Sequence, residues 1–321
     1  MSQLAAVRFL PATFGLLREH APAVFYFCFP NWVLEQCPLP STHLKLLPGA
    51  NTIPVDWPVS AAIMIWGIFL GCSTGLDLLQ RSIKRNNKNN KNNKSQPQTP
   101  PQAQNTTTLS TRQAGLFVWG LALLWYALMC LGGLFFHCLR GELVFHLIDV
   151  VATSCSAVSI IAGFAAMLGH FDDTKAFQRL GLLLTYVAIS AIALIGPLLL
   201  QEQLYLLPVF GAAIIGIFIT KSCLQAAGSR MSPGVVLAGP QSKLGFRRAS
   251  LWLLLTAAGF VLGLGSVIGD AWLCVNFGVH FSLVFGIFFS SNLSMWCLYR
   301  FVLVVYNENL NLDFNNSKRQ S

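Results

Sequence analysis

The sequence predicts an all-α polytopic membrane protein, a bundle of seven transmembrane helices with its N-terminus luminal or extracellular and its C-terminus cytosolic. Three observations lead there. Of 321 residues, 54% are hydrophobic and only 10% charged, under half of the roughly 25% usual for soluble domains. Seven runs stay apolar for about 20 residues, the length a helix needs to cross the hydrocarbon. Basic residues fall almost entirely in alternate connections between those runs, 17 of 21 on one side.

The same composition narrows function. Only 21 Lys and Arg with 12 Asp and Glu cannot coat a soluble fold of this size, so apolar surface must face the bilayer. Nine Cys, spread thinly and mostly inside apolar runs, exclude a secreted disulfide scaffold. The net charge of +9 needs no polyanionic partner, because a membrane protein gathers Lys and Arg in its cytoplasmic loops. Membrane lipids, and no nucleic acid, are the expected partners.

In chain order, residues 1–54 carry short apolar stretches broken by Arg8, Pro11, Arg18 and Pro30, neither a signal peptide nor a span. They are expected to form a luminal segment, in which an oxidising compartment would permit Cys28 and Cys37 to pair. Residues 55–80 hold the first helix, with its apolar run at 59–79. Residues 81–113, with the run NNKNNKNNK and a Gln/Pro/Thr stretch, lack apolar side chains to bury and read as a disordered basic cytoplasmic linker. The sequon at Asn105 lies there, on the side that glycosyltransferases do not reach. Residues 114–305 supply six further spans, at 114–137, 143–168, 180–200, 204–222, 250–269 and 272–304, and 306–321 form a cytoplasmic tail. The last run exceeds one crossing, which tilt accommodates. Trp57, Trp66, Trp119, Trp125 and Trp272 fall largely where an interfacial aromatic belt would lie.

Ionisable groups inside spans are expensive, about 2.5 to 3.5 kcal/mol for a central Asp on insertion scales, so those present tend to face the bundle and to have a task. Here His137 ends span 2, His146 and Asp149 open span 3, Asp270 ends span 6, and Asn276 and His280 open span 7. Because spans alternate in direction, all six fall toward the luminal end. His146 and Asp149 share a helix face at i and i+3, as do Asn276 and His280 at i and i+4. His nitrogens and a carboxylate meeting in one cavity would suit zinc, with a position left for water. The same residues could equally sit at the interface, hydrogen-bonded to headgroups or water, with no metal. Ser154, Ser156 and Ser159, with Gly163, read as close helix packing, and Gly263, Gly265 and Gly269 read likewise.

Seven spans, a His closing span 2, an Asp opening span 3 and a His early in span 7 together resemble the CREST superfamily of membrane hydrolases. That group includes alkaline ceramidases, progestin/adipoQ receptors and GPI-lipid remodelling proteins. Locally the likeness is nearest to its myomaker branch. Phe135-Phe136-His137-Cys138 looks like the branch's His motif, Ala157 to Asp173 is similar to the stretch after its Asp, and Arg247 to His280 is similar to its last two spans. The likeness runs from Leu116 to Leu303 in architecture and over those three patches in residues.

The resemblance implies a zinc site of three His, aided by a Ser and an Asp, that hydrolyses lipid amides or esters. His137, Asp149 and His280 match that pattern. Two positions depart from it: Asn276 stands where the paired His motif of span 7 has its first His, and Gly133 where a Ser precedes the span 2 His. Either His146 replaces the lost ligand, giving zinc on His137, His146 and His280 with Asp149 as ligand, orienter or general base, or the site is inactive and the protein works through its membrane body. A G-protein-coupled receptor ranks last, since span 3 is not followed by Asp-Arg-Tyr and span 7 has no Asn-Pro-x-x-Tyr.

Overall fold

The computed structural model describes residues 19, 41–44, 53–56, 58–95, 103–139, 143–167, 243–268 and 283–320. Strands β1 (Ser41–Leu44) and β2 (Ile53–Asp56) form an antiparallel hairpin, with Ser41 opposite Asp56 and Leu44 opposite Ile53. Helices follow: α1 (Pro58–Ser95), α2 (Ala103–Gly133) ending in a π-helical turn (Leu134–Cys138), α3 (Leu143–Met167), α4 (Lys243–Ile268) and α5 (Leu283–Gln320). Pro58 opens α1 at the position where its missing N–H costs nothing and its fixed φ suits a helix.

Four of these helices are long and apolar enough to cross a membrane, over Pro58–Lys84, Gly115–Cys138, Val144–Met167 and Phe285–Tyr306. At about 1.5 Å per residue, the shortest of them, 22 residues, spans the roughly 30 Å of hydrocarbon. Their outward side chains are apolar, Phe69 being 70% exposed, which water would penalise and lipid does not. The chain is therefore an integral, multi-pass membrane protein. Helix α4 covers most of the expected sixth span, while the expected spans at 180–200 and 204–222 lie outside the described residues.

Two expectations change. The N-terminal segment contributes the β1–β2 hairpin, a small exception to an all-helical chain, built where Thr42, Ile53 and Val55 favour an extended backbone. Where a disordered linker was expected at 81–113, α1 runs on to Ser95 and α2 is already helical at Ala103. Extending a formed helix costs far less than starting one, so polar residues can prolong a helix whose apolar part is anchored.

Packing directions follow from named contacts. Against α2, a Cβ on Gly71 would lie 2.6 Å from the Leu123 carbonyl oxygen and one on Gly75 2.9 Å from that of Gly120, so the two backbones nearly touch and run antiparallel. The Ser156 hydroxyl donates to the Ala122 carbonyl at 2.9 Å, joining α3 to α2. The Ser294 hydroxyl donates to the Thr256 carbonyl at 3.2 Å, joining α5 to α4. Asn292 of α5 reaches both neighbours: its Nδ2 donates to the Ile63 carbonyl of α1 at 2.9 Å, and its Oδ1 accepts from the Tyr126 hydroxyl of α2 at 2.6 Å. Trp119, expected near an interface, is instead wholly buried against Phe164 of α3, ring centroids 5.1 Å apart.

Candidate functional site

The end of the bundle where α1 begins, α2 ends and α3 begins carries the chemistry. There α2 gives way to the turn Leu134–Cys138, closed by the Leu139 N–H donating to the Leu134 carbonyl, five residues back, at 3.1 Å. Such π-turns insert one residue into a helix, re-aim the side chains beyond it and recur at functional sites. Here the re-aimed side chain is His137, whose Nε2 lies 3.4 Å from Asp149 Oδ2 of α3.

Asp149 is 2% exposed, so its carboxylate has left water and needs a polar partner, which His137 supplies. The two helices are drawn together at this level by Gly132, where a Cβ would lie 2.7 Å from the Asp149 backbone nitrogen. When Nε2–H donates to the carboxylate, the lone pair of His137 sits on Nδ1, and the contact holds the ring in that tautomer. A carboxylate–imidazole pair of this kind can orient a metal ligand or hold a proton during acyl chemistry.

Around the pair, the Phe136 ring packs edge-on to His137 at 4.9 Å and lies 4.6 Å from the ring of His146. His146 Nδ1 is buried with no hydrogen-bond partner among the described residues. Phe135 stacks on Phe145 at 4.8 Å, pinning the π-turn to α3. The Cys138 thiol approaches the Met64 sulfur at 3.8 Å, and β2 lies against the turn.

Of the sequence-predicted site residues, the structure joins His137 to Asp149 and places His146 beside them across Phe136. His280, with Asn276 and Asp270, lies outside the described residues. Among the described residues no three His, Cys, Asp or Glu side chains converge as metal ligands. A zinc ion would thus need a donor from outside them, and His280 is the one the resemblance supplies. At Gly133, where the CREST pattern has a Ser, a Cβ would lie 3.7 Å from His137 Cδ2, so the position borders the site but brings no hydroxyl.

Sequence reasoning missed Asp56, buried at this end in β2, and the pairing of Cys138 with Met64. The signal for Asp56 was its place directly before Trp57-Pro58, where a first span opens. Nothing in composition marks the π-turn. No protein family, curated protein or solved structure matches this chain.

Proposed function

We propose that the chain is a seven-span membrane protein of CREST type, its N-terminus luminal or extracellular and its C-terminus cytosolic, that hydrolyses an amide or ester bond of a membrane lipid. The observation that carries this reading is the buried Asp149 carboxylate facing His137 across two helices, at the end that the positive-inside rule assigns to the lumen. A charge at membrane depth is costly to keep, and its retention beside an imidazole favours chemistry over packing.

His137, His146 and His280 are the residues that would hold zinc. The metal, when bound, supplies a water acidic enough to attack a carbonyl near neutral pH. Asp149 holds the His137 ring in one tautomer and can accept a proton at Oδ2. Phe136 lays apolar surface against the His137 ring, which strengthens its electrostatics by keeping water away.

A second reading is favoured by two observations, the missing hydroxyl at Gly133 and the lack of three converging ligands among the described residues. In it the fold is kept and hydrolysis lost, and the protein acts in membrane remodelling or as a partner of other membrane proteins. Metal analysis of the full-length, chelator-free protein separates the two. Hydrolysis requires about one zinc per chain, lost in both His137→Ala and His280→Ala, with ceramide or phospholipid turnover falling alongside. Folded, metal-free wild-type protein with no turnover leaves the second reading standing.

A further inference from the structure

The opposite end of the bundle carries a cluster unrelated to the His137–Asp149 site. Arg300 of α5 sits over two indoles, its guanidinium carbon 5.4 Å from the Trp252 ring of α4 and 5.9 Å from that of Trp296. Trp296 lies one turn before Arg300, and Arg248 one turn before Trp252, so each helix brings one Arg and one Trp. Its neighbour Tyr299 fixes the level, its hydroxyl donating to Asp77 Oδ2 near the far end of the α1 span at 2.9 Å.

Three features separate this cluster from basic residues that merely set topology. First, both arginines are exposed, and the ion pairs among the described residues are Asp77–Arg81 and His137–Asp149, so among those residues neither arginine has a carboxylate beside it. Secondly, Arg300 is held by the faces of two aromatic rings, an arrangement that orients a guanidinium without using its N–H donors. Thirdly, below the charges lies exposed apolar surface. Leu251 of α4 and Leu293 of α5 are exposed, and the antiparallel pairing of the helices through Thr256 and Ser294 turns the Arg248 side of one and the Arg300 side of the other in the same direction. Two guanidiniums over an apolar wall match an anionic head joined to acyl chains.

We propose that the face of α4 and α5 carrying Arg248 and Arg300 binds the headgroup of an anionic phospholipid, with its acyl chains along Leu251 and Leu293. The Trp rings mark the headgroup level, where amphipathic indoles settle. By the basic-residue count this is the cytosolic leaflet, whose anionic lipids attract just such basic sites. The proposal uses no residue of the His137–Asp149 site and stands or falls apart from hydrolysis.

Native mass spectrometry of the full-length protein, in micelles containing phosphatidylserine or phosphatidylinositol phosphate against phosphatidylcholine, tests it. The anionic lipid should be retained in preference, and Arg248→Gln and Arg300→Gln should each weaken that preference about five-fold, and together about twenty-five-fold. Arg300→Lys, which keeps the charge over the rings, should lose less. Equal retention of phosphatidylcholine, or an unchanged preference in the double variant, overturns the proposal. So does inorganic phosphate alone binding as well as the lipid, which would make this a free-anion site. Melting in phosphatidylcholine micelles monitors folding, and Arg248→Gln, an exposed position, carries the test should Arg300→Gln destabilise the α4–α5 pair.

Discussion

Asn292 is wholly buried and bonds α1 and α2 at once, so one amide on α5 sets the relative height of three helices. In lipid the gain from such bonds is modest, about 0.6 kcal/mol on average and up to about 1.7, because the separated helices also find partners. A double-mutant cycle of Asn292→Leu and Tyr126→Phe should therefore give a coupling of about 0.6 to 1.7 kcal/mol in reversible unfolding from mixed micelles. A coupling of zero would mean that the hydrogen bond adds nothing to the apolar packing around it. His137 and Asp149 differ in kind, since their contact involves a buried charge, and their juxtaposition was legible in the sequence. Alternating spans bring the end of one to the start of the next, where His137, His146 and Asp149 interrupt the apolar runs. The serines of α3 were legible only as a group. Ser156 bonds across to α2, whereas Ser154 and Ser159 bond the carbonyls of Val150 and Cys155 in their own helix. Which hydroxyl reaches a neighbour depends on the rotation of the helix, and composition does not fix that.

Among elements, α1 and α2 approach closely along a stripe of Gly67, Gly71 and Gly75 spaced four residues apart. Without a hydrophobic force between helices in lipid, contact must come from backbone approach and dispersion, and small residues at this spacing permit it. Gly71→Ala would drive a methyl against the Leu123 carbonyl and the backbone of Ala127, and should destabilise by about 1 to 3 kcal/mol. Gly265→Ala is the contrast, because nothing lies within 4 Å of its added carbon, and it should be neutral or stabilising by up to about 1 kcal/mol through helix propensity alone. The ordering of the two variants in thermal melts checks both, and a reversed order would remove α1–α2 approach as the source of stability. The stripe at 67, 71 and 75 is visible in the sequence as small residues at i, i+4 and i+8, and the group Gly263, Gly265 and Gly269 is visible there too. Of that group, Gly263 faces Ser290 of α5, and Gly265 faces nothing within 4 Å among the described residues. Spacing identifies a stripe; only a partner helix decides whether it is used. The π-turn at Leu134–Cys138 left no mark at all, since one extra residue in an apolar helix alters neither composition nor period enough to read.

For the whole molecule, the distribution of charge decides orientation, and orientation decides which compartment each site meets. With the 81–113 segment cytosolic, Asn105 should remain unmodified, while a glycosylation acceptor engineered into residues 1–54 should be occupied and shift on glycosidase treatment. A shift mapped to Asn105 would invert the topology, moving the His137–Asp149 pair to the cytosol and the Arg248–Arg300 face to the lumen. What the sequence by itself determined is the solvent: too few charges for water, apolar runs long enough for a bilayer, and basic residues sorted to one side. It also placed the second and third spans within about a residue of Gly115–Cys138 and Val144–Met167, because hydropathy is a sum over local composition, whereas the first helix runs on to Ser95. The tertiary structure alone decided what the helices do to one another: the glycine stripe that seats α1 on α2, the asparagine that ties three helices, the turn that aims His137 at Asp149, and the indoles that hold Arg300. Each depends on the rotation and height of one helix against another, quantities that arise only when the faces meet.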